Sequence, residues 1–414
     1  MQINNNTFDF ARQYLLLAIY GMIIASLAGF FFFMTGRANN FPTYFVGLLT
    51  LLYLALNTSE LKVLRHSVLF VLTLIFGVYL ASTSIWSPSA TLSEILSSFA
   101  NLALIITLLV GMVICSRRYP EFLLKLVYCL VFFASIPAAH FLIFNAISDT
   151  PNSAWGRLHS PSIASLVFGL AAVMAMWIVA REGSKWLKAC SILASVILVL
   201  SCLVIDVNYV NFALLVAVSI VAGLSISQKP EKRWVYGFAA MFPIAVISLI
   251  VFDSQVLADR QAIWAPVLEV VFQSQSVFGH GILTNITPPI GCTYSGMAEA
   301  SNCAFDHPHN IYVSTMYQAG IVGLVMLILL TILSVSMVME SRDKSLKTLV
   351  LACLAYGFIV LMFDGDTLIK KVDFLWLVFW LPIGMATVCE VMNQDRTHGE
   401  FRNSKEDLVV DQYD

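Results

Sequence analysis

Apolar residues run on without alternation over long stretches of this chain, separated by short polar intervals. Continuous runs of that kind predict helices that are apolar all round rather than half-buried strands. Twelve are predicted: Tyr14–Met34, Pro42–Leu56, Ser67–Trp86, Ile95–Cys115, Glu121–Ala146, Pro161–Ala180, Trp186–Ile205, Val210–Ser225, Trp234–Phe252, Ile311–Met337, Leu346–Phe363 and Phe374–Met392. The longest polar interval separates the ninth from the tenth. It runs from Asp253 to Asn310 and ends in Phe305-Asp306-His307-Pro308-His309-Asn310. Connections longer than roughly 12–15 residues are usually functional or disordered, and this one does not have a disordered composition. Ile263, Val267, Val270 and Val271 recur at helical spacing, which predicts a helix lying at the membrane surface with Arg260 near its start. Phe278-Gly279-His280-Gly281 then turns the chain, and Pro288-Pro289 keeps the next part extended.

Composition places these helices in a bilayer. The 414 residues are 59% hydrophobic and 12% charged, against about 25% charged in soluble domains. Mean hydropathy is +0.83. Each span needs roughly 20 apolar residues to cross the hydrocarbon, and with no water there the peptide groups must bond within a helix or a closed barrel. The fold class expected is therefore all-α: a polytopic membrane protein of about 12 transmembrane helices, with one large outer loop between helices 9 and 10. Residues 1–252 form the first nine spans, 253–310 the loop, 311–392 the last three spans and 393–414 a polar tail. The run after Gln13 is too long for a cleavable signal segment, so the first span reads as a retained anchor.

Net charge, −2, decides little; where the charges lie decides more. Arg12, Lys62, Arg65, Arg117, Arg118, Arg181, Lys185, Lys188, Lys229, Lys232, Arg233, Arg342, Lys344 and Lys347 all fall in the N-terminus, in even-numbered loops or in the first turn of the span that follows one. Odd-numbered loops hold only Arg37, Arg157, Arg260, Lys370 and Lys371. The positive-inside bias puts both termini in the cytoplasm and the long loop outside, which in a Gram-negative cell is the periplasm. That compartment is oxidising, so Cys292 and Cys303, the two cysteines in the loop, could pair as a disulfide or remain free thiols. Their spacing does not suit zinc. The other six cysteines lie in or beside apolar runs and read as small hydrophobes.

Candidate chemistry gathers in the loop. Arg260 is its only Lys or Arg. A lone arginine on an interfacial helix can be a snorkelling anchor. It can also be an anion clamp, since the planar guanidinium binds phosphate bidentately and stays charged. His309 stands before a helix and can be a structural hydrogen-bonder. The helix dipole there disfavours imidazolium, which leaves it in the state a general base needs. Asp306 and His307 are close enough in sequence to orient it. His280, between glycines, reads as loop packing. Lys370 and Lys371 read as a solvated pair that Asp364 and Asp366 could neutralise.

His309-Asn310, nine residues, Gly320, two residues and Gly323 resembles the signature of the O-antigen ligase and O-antigen polymerase superfamily. Arg260 through Trp264, followed by Gly279-His280-Gly281, is similar to that family's outer-loop helix and Gly-x-Gly turn. The resemblance covers the C-terminal half by motif and the N-terminal half by topology. It implies transfer of a polysaccharide from an undecaprenyl-pyrophosphate lipid donor at the outer face of the bacterial inner membrane, without nucleotide, metal or other cofactor. The acceptor it implies for a ligase is a sugar hydroxyl of lipid A–core, and membrane lipids would be the other partners, with no role for nucleic acid. By the same analogy His309 takes the acceptor proton and Arg260 holds the pyrophosphate, with Asn310 and Trp264 lining the substrate. The motif glycines would be Gly279, Gly281, Gly320 and Gly323.

One departure stands out. Ligases often carry a second arginine near the start of the eighth span, where this chain has Asp206-Val207-Asn208-Tyr209-Val210-Asn211. Arg157, Lys370 and Lys371 are the outward cations that could stand in. One dominant outer loop and no large appended domain favour a ligase over a polymerase or a protein O-glycosyltransferase. A lipid-linked sugar transporter is the reading from another class, but the spans carry few charges at midplane, where transporters tend to place them.

Overall fold

The computed structural model describes residues 5–32, 36–88, 90–147, 158, 160–226, 254–274, 277–284, 290–291, 304–305 and 307–410. Its helices are α1 (Asn5–Ala28), α2 (Gly36–Leu56), α3 (Ser59–His66), α4 (Val68–Ser82), α5 (Leu92–Arg118), α6 (Phe122–Ile147), α7 (Pro161–Arg181), α8 (Lys185–Ile205) and α9 (Asn208–Ile226). After a gap come α10 (Ser254–Ser274), α11 (Ile311–Met339), α12 (Lys344–Val360) and α13 (Leu381–Val410), the last preceded by a π-helical turn at Trp376–Trp380. Among the described residues the only strands are β1 (Ile290–Gly291) and β2 (Ala304–Phe305), paired antiparallel as Ile290 with Phe305 and Gly291 with Ala304.

Among the described residues, eight helices are long and apolar enough to cross a membrane, or nine if α2 and α3, bent by 108°, count as one span. The architecture is that of a polytopic membrane protein. Of the twelve spans expected, Val210–Ser225 falls on α9, whose apolar part is Asn208–Leu224, and Leu346–Phe363 on α12, 17 residues long. Trp234–Phe252 lies outside the described residues.

Burial shows which helices are central. The apolar windows of α7 and of the span Trp376–Asp395 are 78% and 89% buried, against 28% for α8 and α11. Leu193 and Leu203 of α8 and Ile328 and Ile332 of α11 stand exposed, as lipid-facing side chains would.

One end of the bundle is tied by charge. Glu60 of α3, 4% exposed, pairs with Arg117 and Arg118 at the end of α5, and Arg117 also reaches Asp395 at 2.7 Å. Glu390, also 4% exposed, accepts the hydroxyl of Ser67 at 2.5 Å and the amides of Val68 at 2.7 Å and Leu69 at 3.1 Å. A carboxylate at the start of α4 satisfies amides that the helix leaves open and complements its dipole.

The other end is organised by a break in α11. Gly320 has φ 67° and ψ −169°, outside the helical range. A break in a membrane helix frees carbonyls that lipid cannot satisfy. Here the freed groups are met: Tyr317 O accepts the amide of His280 at 2.9 Å, Gln318 O that of Gly281 at 2.8 Å, and Ala319 O the Tyr79 hydroxyl at 2.6 Å. Gly279, itself at φ 76°, lies back to back with Gly320, and a Cβ on either would run into the other segment's backbone. A Cβ on Gly281 would meet Ser87 and Thr83, and one on Gly323 would meet Ala319 and Tyr79. The expected turn at Phe278–Gly281 is thus the strap that closes this break.

Helix α10 begins at Ser254, so Arg260 sits nearly two turns inside it rather than at its start. The polar opening Ser254-Gln255 carries no apolar periodicity to announce it. Val267 and Val271 of α10 pack with Tyr317 of α11, flanked by Ile263, Val270, Val313 and Met316.

Candidate active site

The His309 loop, α10, the start of α9 and the segment after α12 converge at the strapped end. Asn310 is the N-cap of α11: its side-chain oxygen accepts the amides of Tyr312 at 2.9 Å and Val313 at 3.1 Å, and the residue is 6% exposed. Its role in the structure is therefore to fix the helix start, where Asn is among the favoured residues. Directly before it His309 takes a left-handed backbone, φ 48°. Such a conformation in a residue with a side chain costs free energy and concentrates at functional sites. The His309 amide donates to Nδ1 of His307 at 3.3 Å, and the two rings lie 4.0 Å apart. Trp264 of α10 donates its indole N–H to Pro308 O at 3.0 Å, holding the loop from the other side.

The carboxylate that meets His309 is Asp364. Its Oδ1 is 3.4 Å from His309 Nδ1, and its Oδ2 accepts the Tyr209 hydroxyl at 3.3 Å. Asp306, the orienting carboxylate expected from sequence, lies outside the described residues. Burial pushes the Asp364 carboxyl up. The His309 hydrogen bond, the Gly365 amide and the charges of His309 and Arg260 outweigh it, leaving the group below the ordinary aspartate value. A carboxylate held in that way orients an imidazole through Nδ1 and presents Nε2 to the reacting group.

Arg260 has its guanidinium carbon 5.8 Å from the centroid of the Tyr209 ring, within the range of a cation–π contact. Tyr209 in turn stacks on Phe363 at 5.5 Å. The stretch that lacks the second arginine thus supplies an aromatic platform for the first. Asp364 does not pair with the lysines. Asp366 does, with Lys370, and burial lowers the Lys370 ammonium below its ordinary value despite the charge of Asp373.

Arg260, His309, Asp364, Tyr209, Lys370 and Asp373 line one cavity of about 620 Å³, with Ser160 and Ser162 from the start of α7. That volume is within the usual range for small-molecule sites, about 300–1,000 Å³. Lys371 lines a second cavity beside it and not this one, and neither lining includes Trp264 or Asn310. Arg157, Cys292 and Cys303 lie outside the described residues. Among those described, no group of His, Cys, Asp and Glu is arranged to hold a metal ion. Sequence reasoning passed over Tyr209, seeing there only a missing arginine, and placed Asp364 with the wrong partner. No local signal singled out Asp364, which stands in a charged segment with Asp366, Lys370, Lys371 and Asp373.

The chain is similar to the O-antigen ligase of Pseudomonas aeruginosa. The two are 24% identical over 376 residues, covering 87% of this chain and 88% of that protein. No protein-family model matches the sequence. The likeness runs through nearly the whole of both chains, so it extends to the N-terminal half, where the motifs are silent. It supports, at the level of a membrane glycosyltransferase, the resemblance that His309, Asn310, Gly320 and Gly323 carry.

Proposed function

We propose that this protein is an O-antigen ligase-type glycosyltransferase. It moves a glycan from undecaprenyl pyrophosphate onto a sugar hydroxyl of lipid A–core at the periplasmic face of the inner membrane. The observation that carries the reading is one cavity lined by both a carboxylate-oriented histidine and an arginine. Nε2 of His309 takes the proton of the acceptor hydroxyl as its oxygen attacks the anomeric carbon. The bond from that carbon to the pyrophosphate oxygen breaks, and undecaprenyl pyrophosphate leaves. Arg260 neutralises the charge that grows on the leaving oxygen, which counts most where water is excluded. Lys370, on the same cavity wall, supplies the second cation that the start of α9 lacks.

The orientation rests on charge. Arg117, Arg118 and the carboxylates they bind gather at the end opposite His309. That end is the cytoplasmic one by the positive-inside bias, with both termini there.

Deletion of the gene tests the reading. Complete lipid A–core without polymer, and polymer stranded on undecaprenyl pyrophosphate, is the expected result. Core bearing a single repeat would make the protein a polymerase instead. Unchanged lipopolysaccharide with a lost protein glycan would make it a protein O-glycosyltransferase, and donor retained on the cytoplasmic side would make it a transporter.

A further inference from the structure

A second cavity, of about 520 Å³, adjoins the first and shares His307, Asp366, Lys370 and Asp373 with it. Its far wall is the opening of α5, through Glu94, Ser97, Ser98 and Asn101. Those positions follow the i, i+3, i+4, i+7 spacing and so form one face of the helix. A polar stripe on an apolar membrane helix has to face water, protein or a ligand, because lipid would leave it unsatisfied. Here it faces a cavity. Across that cavity lies Thr367, 8% exposed, whose hydroxyl oxygen has no hydrogen-bond partner among the described residues. A buried hydroxyl left unpaired costs free energy that a ligand's hydrogen bond would recover.

We propose that this second cavity is the acceptor subsite and that its ligand is a glycan recognised through its hydroxyls; the assignment rests on the transferase reading above. The lining explains the class. Carboxylates, serine and threonine hydroxyls, the Asn101 amide and two lysines alternate donors with acceptors, as the vicinal hydroxyls of a sugar do. The cavity shares no Arg260, so it lacks the fork that suits a pyrophosphate. His307 stands on the shared wall with its ring 4.0 Å from that of His309. An acceptor seated against α5 therefore presents a hydroxyl across that wall to the base, while the donor's pyrophosphate occupies the Arg260 side. Two substrates on separate walls meeting at one histidine is the arrangement a direct displacement requires.

Binding without turnover tests this subsite. The full-length protein in lipid nanodiscs, with no donor present, is titrated with two lipid-free probes. One is lipopolysaccharide core oligosaccharide, and the other is the polymer's own repeat-unit oligosaccharide. Wild type should bind the core probe. Asn101→Leu and Thr367→Val should each weaken it at least tenfold while leaving thermal unfolding unchanged. Binding of the repeat-unit probe alone, weakened by the same two variants, would keep the subsite and overturn the ligase reading in favour of a polymerase. Failure of both probes to bind wild type, or equal affinity of the Asn101→Leu and Thr367→Val proteins, would overturn the subsite.

Discussion

His309 and Arg260 are each held by a residue remote in sequence. Asp364 orients the imidazole, and the Tyr209 ring carries the guanidinium. The two supports are themselves joined, since the Tyr209 hydroxyl reaches Asp364. Arg260→Lys removes both the fork and the stacking plane while keeping the charge. It is expected to raise the donor KM at least tenfold, measured with a lipid-linked pyrophosphate glycan. Tyr209→Phe keeps the ring and should preserve donor KM, lowering kcat through the loosened Asp364; a donor KM as poor as that of Arg260→Lys would show that the hydroxyl, not the ring, serves the arginine. Lys370→Ala should impair transfer more than Lys371→Ala, because only Lys370 reaches the His309 cavity. Equal activities would leave the second cation elsewhere. His309 was legible in sequence because it stands in register with Asn310, Gly320 and Gly323. Asp364 was not, because a contact across fifty-five positions leaves no local pattern.

At the scale of elements, the broken helix α11 is the feature that sequence half revealed. Gly320 and Gly323 were visible as a spacing, and Gly279 and Gly281 as a turn. That the turn closes the break, amide by amide, could not be read from either motif alone. Gly320→Ala places a Cβ where φ is positive and where Val277 O already lies. Strained backbone of this kind costs about 1–3 kcal/mol per residue, so the variant should unfold at lower temperature in detergent and lose transfer through the displaced His309 loop. A wild-type melting temperature would refute the strap's role. The loop offers a second prediction. Cys292 and Cys303 are the two cysteines of the loop, and an oxidising compartment favours their pairing. Peptide mapping without reductant should find them joined. Two free, alkylatable thiols in protein from an oxidising compartment would refute it.

Across the whole molecule, apolar runs in the sequence predicted the helical bundle well because lipid leaves a helix few alternatives. Helix ends were read less well where polar residues continue a helix, as at Ser254. Charge placement separates a basic end, tied by Glu60 and Glu390, from the end that carries both cavities. The decisive test of the whole arrangement is transfer by purified protein, using an undecaprenyl-pyrophosphate glycan and lipid A–core as the only substrates. His309→Ala should insert and melt like wild type yet lose activity by about 100- to 10,000-fold, the usual contribution of a general base. Transfer by His309→Ala at the wild-type rate would contradict the assignment of His309 as that base.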